Sequence, residues 1–190
     1  MINIGVLGST NGTDLKAVLD AADNKVIDAS VNIVISNRKN AYILKRSAAR
    51  GVKTSFVSQK NKTREYFDSE ITSLLEAPQV DLVLLIGFMR ILSQEFCNLW
   101  QDKILNVHPS LLPKYAGGMD TNVHQEVLSN GDDKTGCTIH FVTEEVDRGP
   151  ILIQKSCQVK QDDTVESLKK RVQTLEGQAF IEAINLITSR

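Results

Sequence analysis

Ile104-Leu-Asn-Val-His-Pro109 is an apolar run of strand length that is broken by two polar side chains and stopped by a proline. Successive side chains of a strand point to opposite faces, so Asn106 and His108 share one face while Leu105 and Val107 share the other. Pro109 cannot donate to a sheet ladder, which ends the strand at His108. In a parallel sheet covered on both faces, an Asn and a His are costly unless they reach a polar partner or a cleft. The carboxyl end of such a strand is where doubly wound sheets open their ligand crevice, so both side chains are expected there.

Working outward, strand-length apolar runs alternate with segments of helical period through the first half of the chain. That is the pattern of repeated β-α-β units and a parallel sheet. The expected strands are 3–8, 30–36, 54–57, 82–87 and 104–108. Leu15, Val18, Leu19 and Ala22 recur at helical spacing behind Asn11-Gly12-Thr13-Asp14, so a helix should begin near that turn with its amide end on the ligand side of the sheet.

After Pro113 the rhythm changes. Gly117, Gly118, Asn130 and Gly131 punctuate a loop and a short helix, and two β-rich runs follow at 137–143 and 151–159. They predict a hairpin antiparallel to the rest of the sheet. Its turn, Glu144-Glu145-Val146-Asp147-Arg148-Gly149-Pro150, concentrates carboxylates. Asp163, with Glu166 three residues on, reads as a helix cap, and Leu168, Val172, Leu175, Ala179, Ala183 and Leu186 form a long amphipathic stripe behind it. The expected fold is therefore α/β: a doubly wound, mostly parallel twisted sheet with a C-terminal antiparallel hairpin and a long final helix, forming one domain over 1–190.

Composition narrows the function. With 22 basic and 23 acidic residues the charges nearly cancel, and no block of about five or six like charges marks a nucleic-acid arm. The longest apolar run, 82–88, falls far short of the roughly 18 residues a membrane span needs, and the N-terminus enters a strand without a basic region or cleavage site. A soluble cytoplasmic protein with small-molecule substrates, and neither nucleic acid nor membrane as partner, is expected. Cys97, Cys137 and Cys157 are odd in number and widely separated, which suggests buried thiols rather than disulfides or a metal site.

A lone buried His is more often a satisfied core residue than a catalytic one. The Asn-x-His pairing at a strand terminus turns the balance towards chemistry. Among the turn carboxylates, the residues alone do not distinguish Glu144, Glu145 and Asp147. Of the three histidines, His124 falls in the loop-and-helix segment, and His140 lies in an alternating strand where it is expected to face away from the centre.

Asn106-Val-His-Pro-Ser-Leu-Leu-Pro-Lys-Tyr-Ala-Gly117 resembles the signature of the phosphoribosylglycinamide formyltransferases, a folate-dependent family with a Rossmann-like fold. Gly87-Phe-Met-Arg-Ile-Leu92 is similar to the family's folate-binding segment, His140-Phe-Val-Thr-Glu-Glu-Val-Asp147 to its acidic loop, and Arg171-Val-Gln-Thr-Leu-Glu176 to its late helix. The four occur in the family's order, and the similarity runs from first strand to final helix. The resemblance implies transfer of a formyl group from 10-formyltetrahydrofolate, as cosubstrate, to the amine of glycinamide ribonucleotide, without a metal.

It further implies roles residue by residue. Asn106, His108 and Asp147 would be catalytic: an amide donor for the developing oxyanion, a proton shuttle, and a carboxylate that raises the imidazole pKa. Arg64, Met89, Arg90, Ile91, Leu92, Asn106 and Thr143 would contact the folate. Gly12, Thr13, Asp14, Gly87, Pro109, Gln173 and Glu176 would contact the ribonucleotide, its phosphate at the first helix and its ribose hydroxyls at Glu176. A surface Arg and a solvated helix charge remain the ordinary readings of Arg64 and Glu176 taken alone. A cis Leu112–Pro113 bond and a monomer or homodimer complete the picture.

The chain departs from the family at four places. Thr13 and Asp14 stand where Ser and Asn are common, and a carboxylate beside a phosphate is unfavourable, so Asp14 is expected to contribute only its backbone N–H. Gly177 stands where His usually follows the Glu, and the 118–124 segment is about three residues longer than in common bacterial members, a change loops tolerate. Rival readings are a formyltetrahydrofolate deformylase, a methionyl-tRNA or sugar-nucleotide formyltransferase, or a catalytically silent binding module of the same fold. The near-neutral charge and the single expected domain disfavour the tRNA enzyme and the deformylase.

Overall fold

The computed structural model of the chain describes residues 1–118 and 120–189, with Asp120 and Thr121 described in backbone only. Part of the lengthened 118–124 segment thus lies outside the described residues. The element order is β1 Ile2–Leu7, α1 Thr13–Asp23, β2 Ala29–Ser36, α2 Tyr42–Ala48, β3 Lys53–Phe56, α3 Arg64–Glu76, β4 Leu82–Leu85, α4 Gln94–Leu99, β5 Ile104–His108, α5 Asp120–Ser129, β6 Lys134–Phe141, β7 Ile151–Gln158 and α6 Val165–Thr188. The seven strands form one sheet in the order β3-β2-β1-β4-β5-β6-β7. The first five strands run parallel, and β6 and β7 are antiparallel additions. This is the doubly wound sheet with a terminal hairpin that the sequence leads one to expect.

Strand alternation divides the core in two. Ile4, Val6, Val34, Leu84, Leu105 and Ile139 point to one face and pack against Leu15 and Val18 of α1, Ile43 of α2, and Val172, Phe180 and Ile184 of α6. Leu7, Ile33, Ile35, Val83, Leu85 and Ile104 point to the other and pack against Phe67, Ile71 and Leu75 of α3 and Phe96 and Trp100 around α4. The helices therefore sandwich the central strands, while the edge strand β7 leaves Gln154, Ser156 and Gln158 exposed.

Two details of the final helix differ from expectation. Thr164, not Asp163, caps α6, its hydroxyl accepting from the Ser167 N–H while Ser167 reciprocates at the Thr164 N–H. The Asp163 carboxylate is instead committed to a two-point pair with Arg171, at 2.6 and 2.7 Å. Leu186 is exposed, because the buried stripe ends through Phe180, Ala183 and Ile184. Cys97 and Cys137 are buried and Cys157 half-buried, all three as free thiols.

The chain reverses between β1 and β4: strands before this point are wound to one side and later ones to the other. A crevice at a topological switch point follows from such an order. The loops after β1, β4 and β5 all open at this end of the sheet.

Phe180 is fully buried between α6 and the sheet. Phe180→Ala should lower unfolding stability by about 3–5 kcal/mol, read as a drop in the urea midpoint at unchanged slope.

Candidate active site

At the end of β5, Asn106 and His108 share one face and His108 is 3% exposed. β6 lies against this strand in a register that sets His140 opposite Asn106 and Thr138 opposite His108. Residues paired directly across an antiparallel ladder point to the same face. His140 therefore faces the centre, which corrects the expectation that it faces away; the cross-strand register, not alternation along β6 alone, decides its side. A register shift lies beside it in the β6–β7 ladder, where Ile139 pairs with Ile153 and His140 with Ile151.

The Asn106 amide donates to His140 Nε2 at 3.1 Å. His140 Nδ1 donates to the Phe141 carbonyl at 2.9 Å, which leaves Nε2 as the acceptor in the neutral ring. One N–H of Asn106 is thus spent on fixing the amide plane, and the other is available to a ligand. Thr138 acts in the same way on the loop after β5: its hydroxyl donates to the Ser110 carbonyl at 2.7 Å and accepts the Leu112 N–H at 3.0 Å. This loop contains the cis Leu112–Pro113 bond.

The hairpin turn returns Asp147 to the same point. Gly149 is needed for that course, since a Cβ there would lie 1.8 Å from the Phe141 carbonyl oxygen. Asp147 adopts a left-handed backbone, φ 56°, which directs its carboxylate inward. One oxygen accepts the Gly117 N–H at 2.8 Å and lies 3.3 Å from His108 Nδ1; the other lies 3.6 Å from His140 Nε2. The three turn carboxylates are now distinct: Glu144 and Glu145 line the rim and are exposed, and Asp147 alone joins the rings.

Both nitrogens of His108 face acceptors, Nε2 the Tyr115 carbonyl at 2.9 Å and Nδ1 the Asp147 carboxylate. Burial nonetheless dominates and holds the imidazole pKa below its ordinary value, with Asp147 and the Tyr115 carbonyl opposing and His140 adding to the drop. The sequence suggests a raised value from the carboxylate; what it does not show is how deeply the ring is buried. For Asp147, burial pushes upward, but the His140 contact, the His108 charge and the Gly117 N–H outweigh it and keep the carboxyl below the usual range.

These groups line one cavity of about 740 Å³ at the carboxyl ends of β1, β4 and β5. Met89 to Leu92 form one wall, with Gly87 behind them. The wall is braced from outside: the Met89 N–H donates to Ser9 Oγ at 2.9 Å, Ser9 donates to Asn37 at 2.6 Å, and Asn37 and Arg90 both donate to Gln59. Thr13 and Asp14 of α1 and Gln173 and Glu176 of α6 line the opposite side, and Pro109 and Thr143 lie between. Glu176 is buried, which disposes of its reading as a solvated helix charge.

Two expected contacts are placed elsewhere. Arg64 is exposed in the first turn of α3, behind the Thr63 cap, and does not line the cavity. Gly12 is not part of the lining either; its φ of 63° makes the turn that starts α1 and presents the next two residues. Conversely, Thr10, Asn11, Phe88, Val142, His140 and Lys169 line the cavity without having been singled out for it. Lys169 stands one helical turn before Gln173, so the helix period in 169, 173 and 176 carried that signal. Among the described residues, no group of three or more His, Cys, Asp or Glu is placed to hold a metal ion, and no helix is long and apolar enough to cross a membrane.

Known proteins resemble this chain over nearly its whole length. The family model described as formyl transferase matches residues 2–184. The chain belongs to the formyl transferase family. It is 39% identical to the phosphoribosylglycinamide formyltransferase of Escherichia coli over 176 residues, covering 92% of this chain and 82% of that protein. It is 41% identical to the human trifunctional purine biosynthetic protein adenosine-3 over 187 residues, covering 98% of this chain but 18% of that much longer protein. The crystal structure of glycinamide ribonucleotide transformylase 1 from Symbiobacterium toebii superposes with a TM-score of 0.94 at 39% identity, over all of this chain and 88% of that one.

For this formyl transferase two outcomes are expected. His108→Ala should cut turnover by at least about a hundredfold, with the thermal unfolding midpoint showing that the fold persists. Asp147 supports the protonated form of His108, so Asp147→Asn removes an upward influence and the imidazole pKa falls further. If His108 accepts a proton, activity is lost as pH falls through that pKa. The acid limb of kcat/KM should therefore move to lower pH in Asp147→Asn, and an unmoved limb would show that the carboxylate does not act through His108.

Proposed function

We propose that the chain transfers the formyl group of 10-formyltetrahydrofolate to the amine of 5'-phosphoribosylglycinamide, giving formylglycinamide ribonucleotide and tetrahydrofolate in purine biosynthesis. The observation that carries this reading is the convergence of Asn106, His108 and Asp147 on one cavity, with an N–H, a buried proton carrier and a carboxylate in mutual reach. The match to relatives named for this reaction supports it.

The chemistry asks for these groups. The amine nitrogen attacks the formyl carbon, and a C–N bond forms as the carbonyl oxygen becomes an oxyanion. Asn106 donates its remaining N–H to that oxygen, a contact worth about 3–4 kcal/mol in a preorganised site. The amine sheds a proton, which His108 can take because burial keeps its ring largely neutral near pH 7. Asp147 stabilises the imidazolium so formed. The same proton then serves the folate nitrogen as its bond to the formyl carbon breaks, and no net proton is gained or lost by the site.

In the same reading Met89 to Leu92, with Thr143, would hold the folate, and Thr13, Gln173 and Glu176 the ribonucleotide. A cytoplasmic monomer or homodimer acting on small molecules, with no nucleic-acid or membrane partner and no metal, goes with it. Incubating the protein with both substrates, and following tetrahydrofolate and formylated ribonucleotide separately, tests the proposal. Equimolar appearance of the two products is expected. Folate turnover that ignores the ribonucleotide would indicate a deformylase, and no turnover at all a binding module.

A further inference from the structure

Residues 86–93 join β4 to α4 with no strand or helix of their own, yet they form one wall of the cavity. The side chains of that wall are apolar at Phe88, Met89, Ile91 and Leu92. Arg90 lines the cavity as well, but its guanidinium is engaged behind the wall, 4.2 Å over the Phe67 ring and donating to Gln59 Oε1 at 2.8 Å. What Arg90 turns to a ligand is therefore its main chain and stem. An apolar slot edged by backbone N–H and C=O groups suits a flat heterocycle with polar atoms along its rim better than a sugar phosphate. Backbone groups read such a ring tightly only if they are fixed beforehand, because a loose loop must be ordered at the expense of affinity.

The fixing comes from residues outside the cavity. Ser9 holds the start of the wall: its N–H donates to the Gly87 carbonyl at 3.0 Å, and its Oγ accepts the Met89 N–H at 2.9 Å. Asp68 holds the far end, accepting the Ser93 N–H at 2.6 Å. Between them the Ser9 hydroxyl donates to Asn37 Oδ1 at 2.6 Å, and Asn37 Nδ2 donates to Gln59 Oε1 at 3.0 Å, the same oxygen that accepts from Arg90. The hydrogen bonds thus leave the wall at Met89 and return to it at Arg90, closing a ring. A guanidinium and a backbone N–H can only donate, so the sense of every bond is determined. Gln59 must accept from Arg90 and presents the same oxygen to Asn37; Asn37 must then donate to Gln59 and accept from Ser9; Ser9 is left with lone pairs for Met89. Ser9 and Asn37 are buried, so opening the ring leaves a desolvated polar group without its partner.

We propose that Asn37 and Gln59 are positioning residues for the formyl donor, presetting through this ring the main chain of 89–92 against which the donor's heterocycle lies, although neither residue lines the cavity. This deepens the formyl-transfer reading and rests on it for the identity of the donor. The rigidity of the wall can be tested without that reading.

Steady-state kinetics of the full chain would compare Gln59→Ala, Gln59→Glu and Asn37→Ala. Gln59 is exposed, so truncating it opens no hole in the core. Gln59→Ala should raise KM for 10-formyltetrahydrofolate by about fivefold, with KM for the ribonucleotide and kcat at saturating donor almost unmoved. Gln59→Glu, whose carboxylate still accepts from both Asn37 and Arg90, should recover most of that loss. Asn37→Ala should raise the same KM by at least about tenfold, and adding Gln59→Ala to it should raise it little further, because the ring is already open. An unchanged donor KM in Gln59→Ala, or an equal rise for both substrates, overturns the proposal. Hydrogen exchange at the Met89 amide reads the wall directly: faster exchange in Gln59→Ala than in the wild type is expected, and equal exchange refutes the ring. If the wild type neither binds tetrahydrofolate in calorimetry nor turns over its substrates, the functional reading fails, and the exchange rates still decide whether Asn37 and Gln59 fix the wall.

Discussion

The antiparallel pairing of β6 onto β5 is the constraint from which the site follows. Four residue pairs, from Leu105 with Phe141 to His108 with Thr138, fix the hairpin against the last parallel strand. A slip of one residue would turn every side chain of β6 to the opposite face. His140 would leave Asn106, Thr138 would release the loop after Pro109, and the turn would carry Asp147 away from His108. Three features hold the register. Thr138 bonds to both Ser110 and Leu112, Gly136 lets β7 approach where a Cβ would lie 1.9 Å from the Lys155 carbonyl, and Gly149 admits the Phe141 carbonyl at the turn.

Seen this way, the histidine at 140 is as much a part of the site as the one at 108, with a different task. His108 sits between two acceptors in a buried place, so its protonated and neutral forms are both partly satisfied. His140 is tied at Nδ1 to a backbone carbonyl and at Nε2 to the Asn106 amide. An amide that must meet a developing charge gains from being fixed before the reaction, because no reorganisation is then required at the transition state. The carboxylate of Asp147 touches both rings and a backbone N–H, which is why it stays ionised although half-buried.

How far the sequence foretells this depends on whether a feature is local or long-range. Alternation along a strand is local, and Asn106 and His108 were legible from six residues. The parallel core is legible for the same reason: apolar runs such as 82–87 are long enough to be strands and too uniform to be one-faced. The register of β6 on β5 joins residues over thirty positions apart and leaves no periodic mark, so the facing of His140 was misread. Burial of His108 is a property of the whole loop from Pro109 to Gly118 packed over it, so a nearby Asp suggested a pKa shift of the opposite sign. The cap of α6 was missed by one residue because Asp163 and Thr164 are both good caps, and only the competing Arg171 decides between them. The α6 edge that carries Lys169 is legible from helix period once Gln173 and Glu176 are placed at the cavity, because 169, 173 and 176 fall on one edge.

Charge places the remaining constraint on the site. The proposed chemistry needs a base kept neutral, which burial of His108 at 3% exposure favours, and an acid kept ionised, which the contacts of Asp147 with His140, His108 and the Gly117 N–H secure against its own burial. Burial of that degree raises the cost of every uncompensated charge nearby. A cation beside the imidazole would depress its pKa further and oppose formation of the imidazolium on which proton transfer depends.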